Sequence, residues 1–276
     1  MINKTQEDRL DYLLEEFKKD SLWYKDLEVG EDYQEKRRAL RSLMNIRMPG
    51  AMDPEVLEVQ DDFLRKEAVE KGIVTLEEIP TAVRQYGSRR PFGDKISVWQ
   101  GDITRLQVGA IVNAANSQML GCFHPCHGCI DNAIHSAAGI ELREACSQYM
   151  EHRKVQYGKD YEEPTGQAAL TEAYNLPAEY VIHTVGPIVY GGLTEELKND
   201  LRSCYENVLK CCAEHGIRSV AFCCISTGEF RFPNEEAAII AVSEVRKFLE
   251  EHETDFDRII FNVFKDVDRE LYKQLV

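Results

Sequence analysis

From Ile96 onward the sequence alternates short apolar runs with longer amphipathic stretches, and this alternation restricts the fold more than any other feature. Residues 96–100 (Ile-Ser-Val-Trp-Gln) have strand character and lead into a turn at Gly101-Asp102-Ile103-Thr104. Residues 108–112 form a compact apolar run that ends in Asn113-Ala114-Ala115-Asn116. Residues 180–185, 219–225 and 258–264 read as further strands, whereas 133–149, 193–215 and 234–251 read as helices before a last C-terminal helix. Strands interleaved with helices predict a layered α/β domain with helices on both faces of the sheet. Ligands of such domains bind beyond the carboxyl ends of the strands.

The first ninety residues follow another period. Leu10, Leu13, Leu14 and Phe17 repeat at helical spacing, as do Val56, Val59 and Phe63, and Leu40, Leu43 and Met44 add a stripe that ends at Met48-Pro49-Gly50. These stripes read as packing faces. A chain of 276 residues has room for one ordinary domain and an appendage, so the division expected is a helical extension over 1–90 and an α/β domain over 91–276. The net charge of −15 argues against a basic field that would gather nucleic acid or anionic lipid. No apolar run approaches the roughly 20 residues of a membrane span, and the start of the chain lacks the apolar core of a signal peptide. The expectation is a cytoplasmic protein that contacts neither nucleic acid nor membrane.

All nine cysteines and all seven histidines lie at or beyond position 122. An odd number of cysteines in a chain of this size speaks against a disulfide framework. Three of them fall in one segment, Gly121-Cys122-Phe123-His124-Pro125-Cys126-His127-Gly128-Cys129, which also holds two histidines. Thiols and imidazoles gathered so densely point to a metal, zinc first. On spacing alone, Cys122, Cys126 and Cys129 also fit the C-x3-C-x2-C pattern of radical enzymes with an iron–sulfur cluster, but the flanking segments do not read as a repeated β/α barrel. On either side of this segment, two stretches rich in small polar residues leave strands: Val112-Asn113-Ala114-Ala115-Asn116-Ser117 and Ile225-Ser226-Thr227-Gly228-Glu229-Phe230. Successive backbone N–H groups in the second would cradle a phosphate without help from Lys or Arg.

In order and spacing these segments resemble a macrodomain of the MacroD-like branch. The resemblance rests on Gly101-Asp102-Ile103-Thr104, Asn113-Ala114-Ala115-Asn116-Ser117, the stretch from Tyr174-Asn175-Leu176-Pro177 to Val185-Gly186-Pro187, and Ile225-Ser226-Thr227-Gly228 through Phe232-Pro233. The Cys/His segment stands where that branch has a glycine run, and this is similar to the zinc-dependent macrodomains linked to class M sirtuins. The resemblance implies a three-layer α/β/α macrodomain with a mixed central sheet and a helical N-terminal extension. It also implies one zinc ion held by Cys122, His127 and Cys129, and hydrolysis of mono-ADP-ribose from modified protein side chains. By the same resemblance Asp102 and Ile103 recognise the adenine, with Asn262 or Phe264 completing that pocket. Asn113 belongs to the ADP-ribose site, Asn116 bonds the distal ribose, and the backbone of Ser226, Thr227, Gly228, Glu229 and Phe230 holds the diphosphate. Asn116 and Asp131 are the catalytic candidates. The implied substrate is an ADP-ribosylated protein, with a lipoylated glycine-cleavage H-like carrier and a class M sirtuin as candidate associates. Alternatives stay open: Cys126 as a fourth thiolate that makes the zinc structural, Asp102 as a simple turn cap, and a non-catalytic ADP-ribose reader. His135 and His183 read as packed histidines, His135 satisfied by backbone, and the six later cysteines as small buried hydrophobes.

Overall fold

The structure is a computed structural model that describes residues 5–276. Three helices come first: α1 (Gln6–Asp20), α2 (Tyr33–Ile46) and α3 (Pro54–Lys71). Thr5 and Asp8 cap α1 reciprocally, Asp32 accepts two N–H groups at the start of α2, and Asp53 followed by Pro54 opens α3. Their apolar stripes meet in one core that contains Leu10, Leu13, Phe17, Leu40, Leu43, Val56 and Phe63. The packing faces read from the periodicity are therefore packed against one another.

A two-residue strand, β1 (Val74–Thr75), and a short helix, α4 (Ala82–Tyr86), lead into the main layer. The strands β2 (Ile96–Gln100), β3 (Leu106–Gln107), β4 (Ala110–Ala115), β5 (Ala168–Glu172), β6 (Tyr180–Val185), β7 (Ser219–Phe222) and β8 (Arg258–Val263) follow. Helices α5 (Ile130–Ala138), α6 (Ile140–Tyr157), α7 (Glu195–Glu214), α8 (Asn234–His252) and α9 (Asp266–Leu275) connect or follow them. β1 pairs with β3, and the other six strands form one sheet in the order β2-β8-β7-β4-β6-β5. Only the β5–β6 pair is antiparallel, so the sheet is mixed as expected. Strands buried on both faces by crossover helices need apolar side chains at nearly every position, which is why β4, β6 and β8 are almost continuously buried.

The crossover from β6 to β7 passes β4, so the sheet changes its direction of growth there. The loops after β4 and β7 consequently open side by side at one edge of the sheet, the usual place for a ligand. The single helix expected over 133–149 is two helices, broken at Gly139. Gly139 has φ +100°, and a Cβ there would come within 2.8 Å of Gln60 in α3. The close approach of the N-terminal bundle is the physical reason for the break. No helix of the described residues is long and apolar enough to cross a membrane.

Candidate functional site

The parallel register of β4 and β6 sets Asn113 beside His183. The Asn113 amide donates to Asp131 Oδ1 at 2.8 Å and lies 3.1 Å from His183 Nδ1. Asp131 stands in the first turn of α5, where a carboxylate is favoured by the helix dipole. Burial outweighs the Asn113 bond and the Arg143 charge, which both act the other way, and raises the carboxyl to about 6. His135, one turn later, has its Nε2 3.5 Å from Asp131 Oδ1. Burial holds the His135 ring well below its ordinary pKa, so the pair is not a charged one. The expected backbone partner for His135 is absent: among the described residues neither ring nitrogen has a hydrogen bond. Packing holds the ring instead, against Gly121 (φ +78°), where a Cβ would sit 2.9 Å from it.

The Cys/His segment is the loop between β4 and α5. Cys129 is the N-cap of α5, its sulfur accepting the Asn132 N–H at 3.4 Å. Cys122 Sγ lies 3.6 Å from His127 Nδ1, and the donor atoms of Cys122, His127 and Cys129 all fall within 4.8 Å of one another. Two sulfurs and one imidazole nitrogen facing a common point are a donor set that fits zinc. Burial pushes the Cys129 thiol up to about 12, so a metal binding here would have to displace its proton. His124 stacks on the His127 ring, with centroids 5.1 Å apart. Cys126 is turned the other way. Its backbone is left-handed (φ +51°), and its sulfur lies 3.2 Å from Ser42 Oγ and 3.5 Å from the Arg38 carbonyl, both on α2. The fourth-thiolate alternative finds no support in this placement. A second cluster, His135, Cys146 and His183, is as compact but wholly buried. Both His183 nitrogens are already engaged, with Asn113 at 3.1 Å and Thr171 Oγ1 at 3.0 Å, and burial lowers that imidazole to about 4. It is polar core, as the sequence reading of His183 expected.

After β7 the chain makes a tight turn. Ser226 (φ +63°) and Arg231 (φ +58°) are left-handed, and the turn is pinned by Phe232 N–H to Ser226 O at 2.9 Å and Val189 N–H to Phe230 O at 2.9 Å. Thr227 bonds the Cys224 carbonyl through both N–H and hydroxyl. Among the described residues the N–H groups of Gly228, Glu229 and Phe230 have no intramolecular acceptor, as an anion cradle requires. Glu229 Oε1 reaches to 3.7 Å from His127 Nε2, so this turn and the Cys/His loop meet. Asn116, just past β4, accepts the Gln118 N–H at 3.0 Å and donates to the Gly121 carbonyl at 3.3 Å, which ties the two ends of that corner together. At the far side Asp102 caps the turn over Ile103 through Oδ1, at 3.0 Å from the Thr104 N–H and 2.7 Å from its hydroxyl. Both of these bonds are to Oδ1. Asn262 bonds the neighbouring Gly101 carbonyl at 3.0 Å, and Phe264 stands 77% exposed beyond the end of β8.

Sequence reasoning did not find Arg41, Asn45, Asn132 and Arg143, whose side chains hold the Cys/His loop from α2, α5 and α6. Polar residues on a helix read as a solvated face, and only the tertiary contacts distinguish these.

The macro domain family profile matches residues 112–241. A protein-ADP-ribose hydrolase of Treponema medium is 43% identical over 99% of this chain and 99% of its own. A protein of the same name from Staphylococcus aureus (strain MSSA476) is 39% identical over 98% and 96%. A Trypanosoma brucei macrodomain solved in complex with ADP-ribose superposes with a TM-score of 0.63 at 31% identity, over 84% of this chain and 94% of that one. With relatives of this identity matched along almost their whole length, around the strands and turns just described, the chain belongs to the macro domain family.

Proposed function

We propose that the protein is a zinc-dependent mono-ADP-ribosylhydrolase that frees ADP-ribose from modified protein side chains. One observation carries this reading: the Cys122/His127/Cys129 donor set and the turn of unpaired N–H groups meet at the same edge of the sheet, joined by Glu229 and His127 at 3.7 Å. Relatives named for this hydrolysis, and a related structure that holds ADP-ribose, support it.

The N–H groups of Gly228, Glu229 and Phe230 bind the diphosphate, with Ser226 and Thr227 shaping the turn. Asp102 offers its second oxygen to the adenine amino group, with the Ile103 backbone as the other adenine contact. Asn116 orients the distal ribose, and Asn113 fixes Asp131 through the 2.8 Å bond. Cys122, His127 and Cys129 would hold the zinc, a three-donor set of the kind found in catalytic rather than structural sites. Zinc held by these three side chains would supply a Lewis acid. Asp131 orients a water and takes its proton as the water oxygen bonds the anomeric carbon. The bond from that carbon to the side chain breaks with its electron pair leaving on the side chain, which gives ADP-ribose and the restored protein.

The test is release of ADP-ribose from an automodified protein, with and without chelator, by wild type and Cys129→Ser. Turnover that stops on chelation and is lost in Cys129→Ser is the expected result. A Cys129→Ser protein without zinc that still hydrolyses ends the metal role, and ADP-ribose binding without any turnover makes the protein a reader. Substrates with defined Asp, Glu, Arg and Ser linkages, together with a lipoylated carrier modified by a sirtuin, identify the side chain attacked.

A further inference from the structure

Helix α2 belongs to the N-terminal bundle, yet one polar face of it is spent on the Cys/His loop. The Arg41 guanidinium spans three groups: Asn132 Oδ1 at 2.6 Å, Ser136 Oγ at 3.2 Å and the His127 carbonyl at 3.3 Å. Asn132 is fully buried and passes the restraint on, donating to the carbonyls of His124 at 3.0 Å and Cys122 at 3.4 Å. One turn further along α2, Asn45, 1% exposed, accepts the Cys126 N–H at 2.9 Å and donates to Ser136 Oγ at 2.9 Å. Buried Arg143 closes the arrangement from α6, bonding the Leu120 carbonyl at 2.7 Å and the carbonyls of Met44 and Arg47 at the end of α2, at 3.0 and 2.6 Å.

The loop needs this outside help. Residues 119–129 contain no regular structure, and their own main chain supplies the bonds Met119 N–H to Asn116 O and His127 N–H to His124 O. Backbone groups held away from water without partners are costly, and side chains of α2 and α5 answer the partly buried ones at 122, 124, 126 and 127. Two of the anchored positions, 122 and 127, belong to the donors themselves, and 124 and 126 lie between them.

We propose that Arg41 and Asn45 are positioning residues for the Cys122/His127/Cys129 donor set, so that helix α2 is a working part of the metal centre. The proposal rests on the zinc reading above. A loop left free must be ordered at the moment the metal binds, which lowers affinity. A loop anchored beforehand has already met that requirement.

The experiment titrates zinc against a chromogenic chelator in metal-free, full-length wild type, Asn45→Ala, Arg41→Ala and Arg37→Ala. Arg37 ties α2 to α3 through Glu67 at 2.6 and 2.8 Å and, among the described residues, makes no hydrogen bond or ion pair with the loop, so its variant reports a weakened bundle. Zinc affinity should fall about 10- to 100-fold in the Asn45 and Arg41 variants, the range for residues that orient metal ligands. It should be unchanged in Arg37→Ala, even where Tm drops. ADP-ribose affinity of the metal-free proteins, measured by calorimetry, should be unchanged in all four. Arg41→Lys keeps the charge without the planar fork and should also lose affinity, which covers the case of an Arg41→Ala chain that does not fold. Equal zinc affinity in wild type and the Asn45 and Arg41 variants, or an equal fall in Arg37→Ala, overturns the positioning role and leaves the zinc reading standing. A wild type that takes up no zinc overturns both.

Discussion

Asp131 and His135 are one helical turn apart, but burial moves both toward their neutral forms, and the Asp131 carboxyl accepts its hydrogen bond from Asn113. Asp131→Asn keeps an oxygen for the Asn113 amide, so it removes a proton acceptor with little change of shape. We expect kcat for ADP-ribose release to fall about 10²- to 10⁴-fold, the usual scale for general-base work, while calorimetry finds ADP-ribose affinity retained. An unchanged kcat would take Asp131 out of the chemistry. Cys126 makes the opposite case. Its thiol faces α2, so Cys126→Ala should keep its zinc by elemental analysis, whereas Cys122→Ser should lose it. Loss in both would mean that Cys126 turns inward to close the site.

At the scale of elements, Gly139 is a point where the N-terminal bundle approaches the α/β layer closely. Its φ of +100° and ψ of 173° belong to a region open essentially to glycine, and Gln60 and Asn175 fill the space a Cβ would need. Gly139→Ala should destabilise the protein by about 2 kcal/mol, a Tm shift of roughly 4–8 °C in calorimetry; an unshifted Tm would mean that α5 and α6 can rejoin without strain. This break was not legible, because Ala137-Ala138-Gly139-Ile140 continues a helical pattern and the crowding comes from α3, eighty residues earlier. The parallel strands β4, β6, β7 and β8 were legible, because burial on both faces makes each a largely apolar run. β5 was missed: it is a five-residue edge strand, Ala168-Ala169-Leu170-Thr171-Glu172, only partly buried and without clear alternation. The site divides in the same way. Cys122, His127, Cys129 and the Ser226-Thr227-Gly228 turn are local in sequence and could be read. The bonds from Asn113 to Asp131, from Arg41 to Asn132 and from Asn45 to Cys126 join distant segments, and no local pattern encodes them.

For the whole molecule, the seam between the N-terminal bundle and the α/β layer carries a titration. Glu141 in the first turn of α6 faces Asp61, Gln60 and Arg65 of α3, with Tyr174 nearby. Burial first, then the Asp61 carboxyl, raise Glu141 to about 7, against smaller lowering effects of Arg65 and Gln60. The bonds from Gln60 to Glu141 at 3.4 Å, from Asn175 to Asp61 at 2.8 Å and from the Ile140 N–H to Gln60 at 3.1 Å place this group in the joint itself. Because the folded pKa lies above the ordinary carboxyl value, the folded chain keeps a proton through the window from about 4.5 to 7 that the unfolded chain releases. Its contribution to stability is complete below that window and is lost as pH rises through it. Glu141 is half exposed, so solvent screening leaves a term of at most about 1 kcal/mol. Glu141→Gln is neutral at every pH and should remove this part of the slope. Melting curves of both proteins from pH 5 to 8 should converge at the acid end and separate toward pH 8, with the variant the more stable. Parallel curves would show that the two carboxylates part in solution and that the seam is indifferent to their charge.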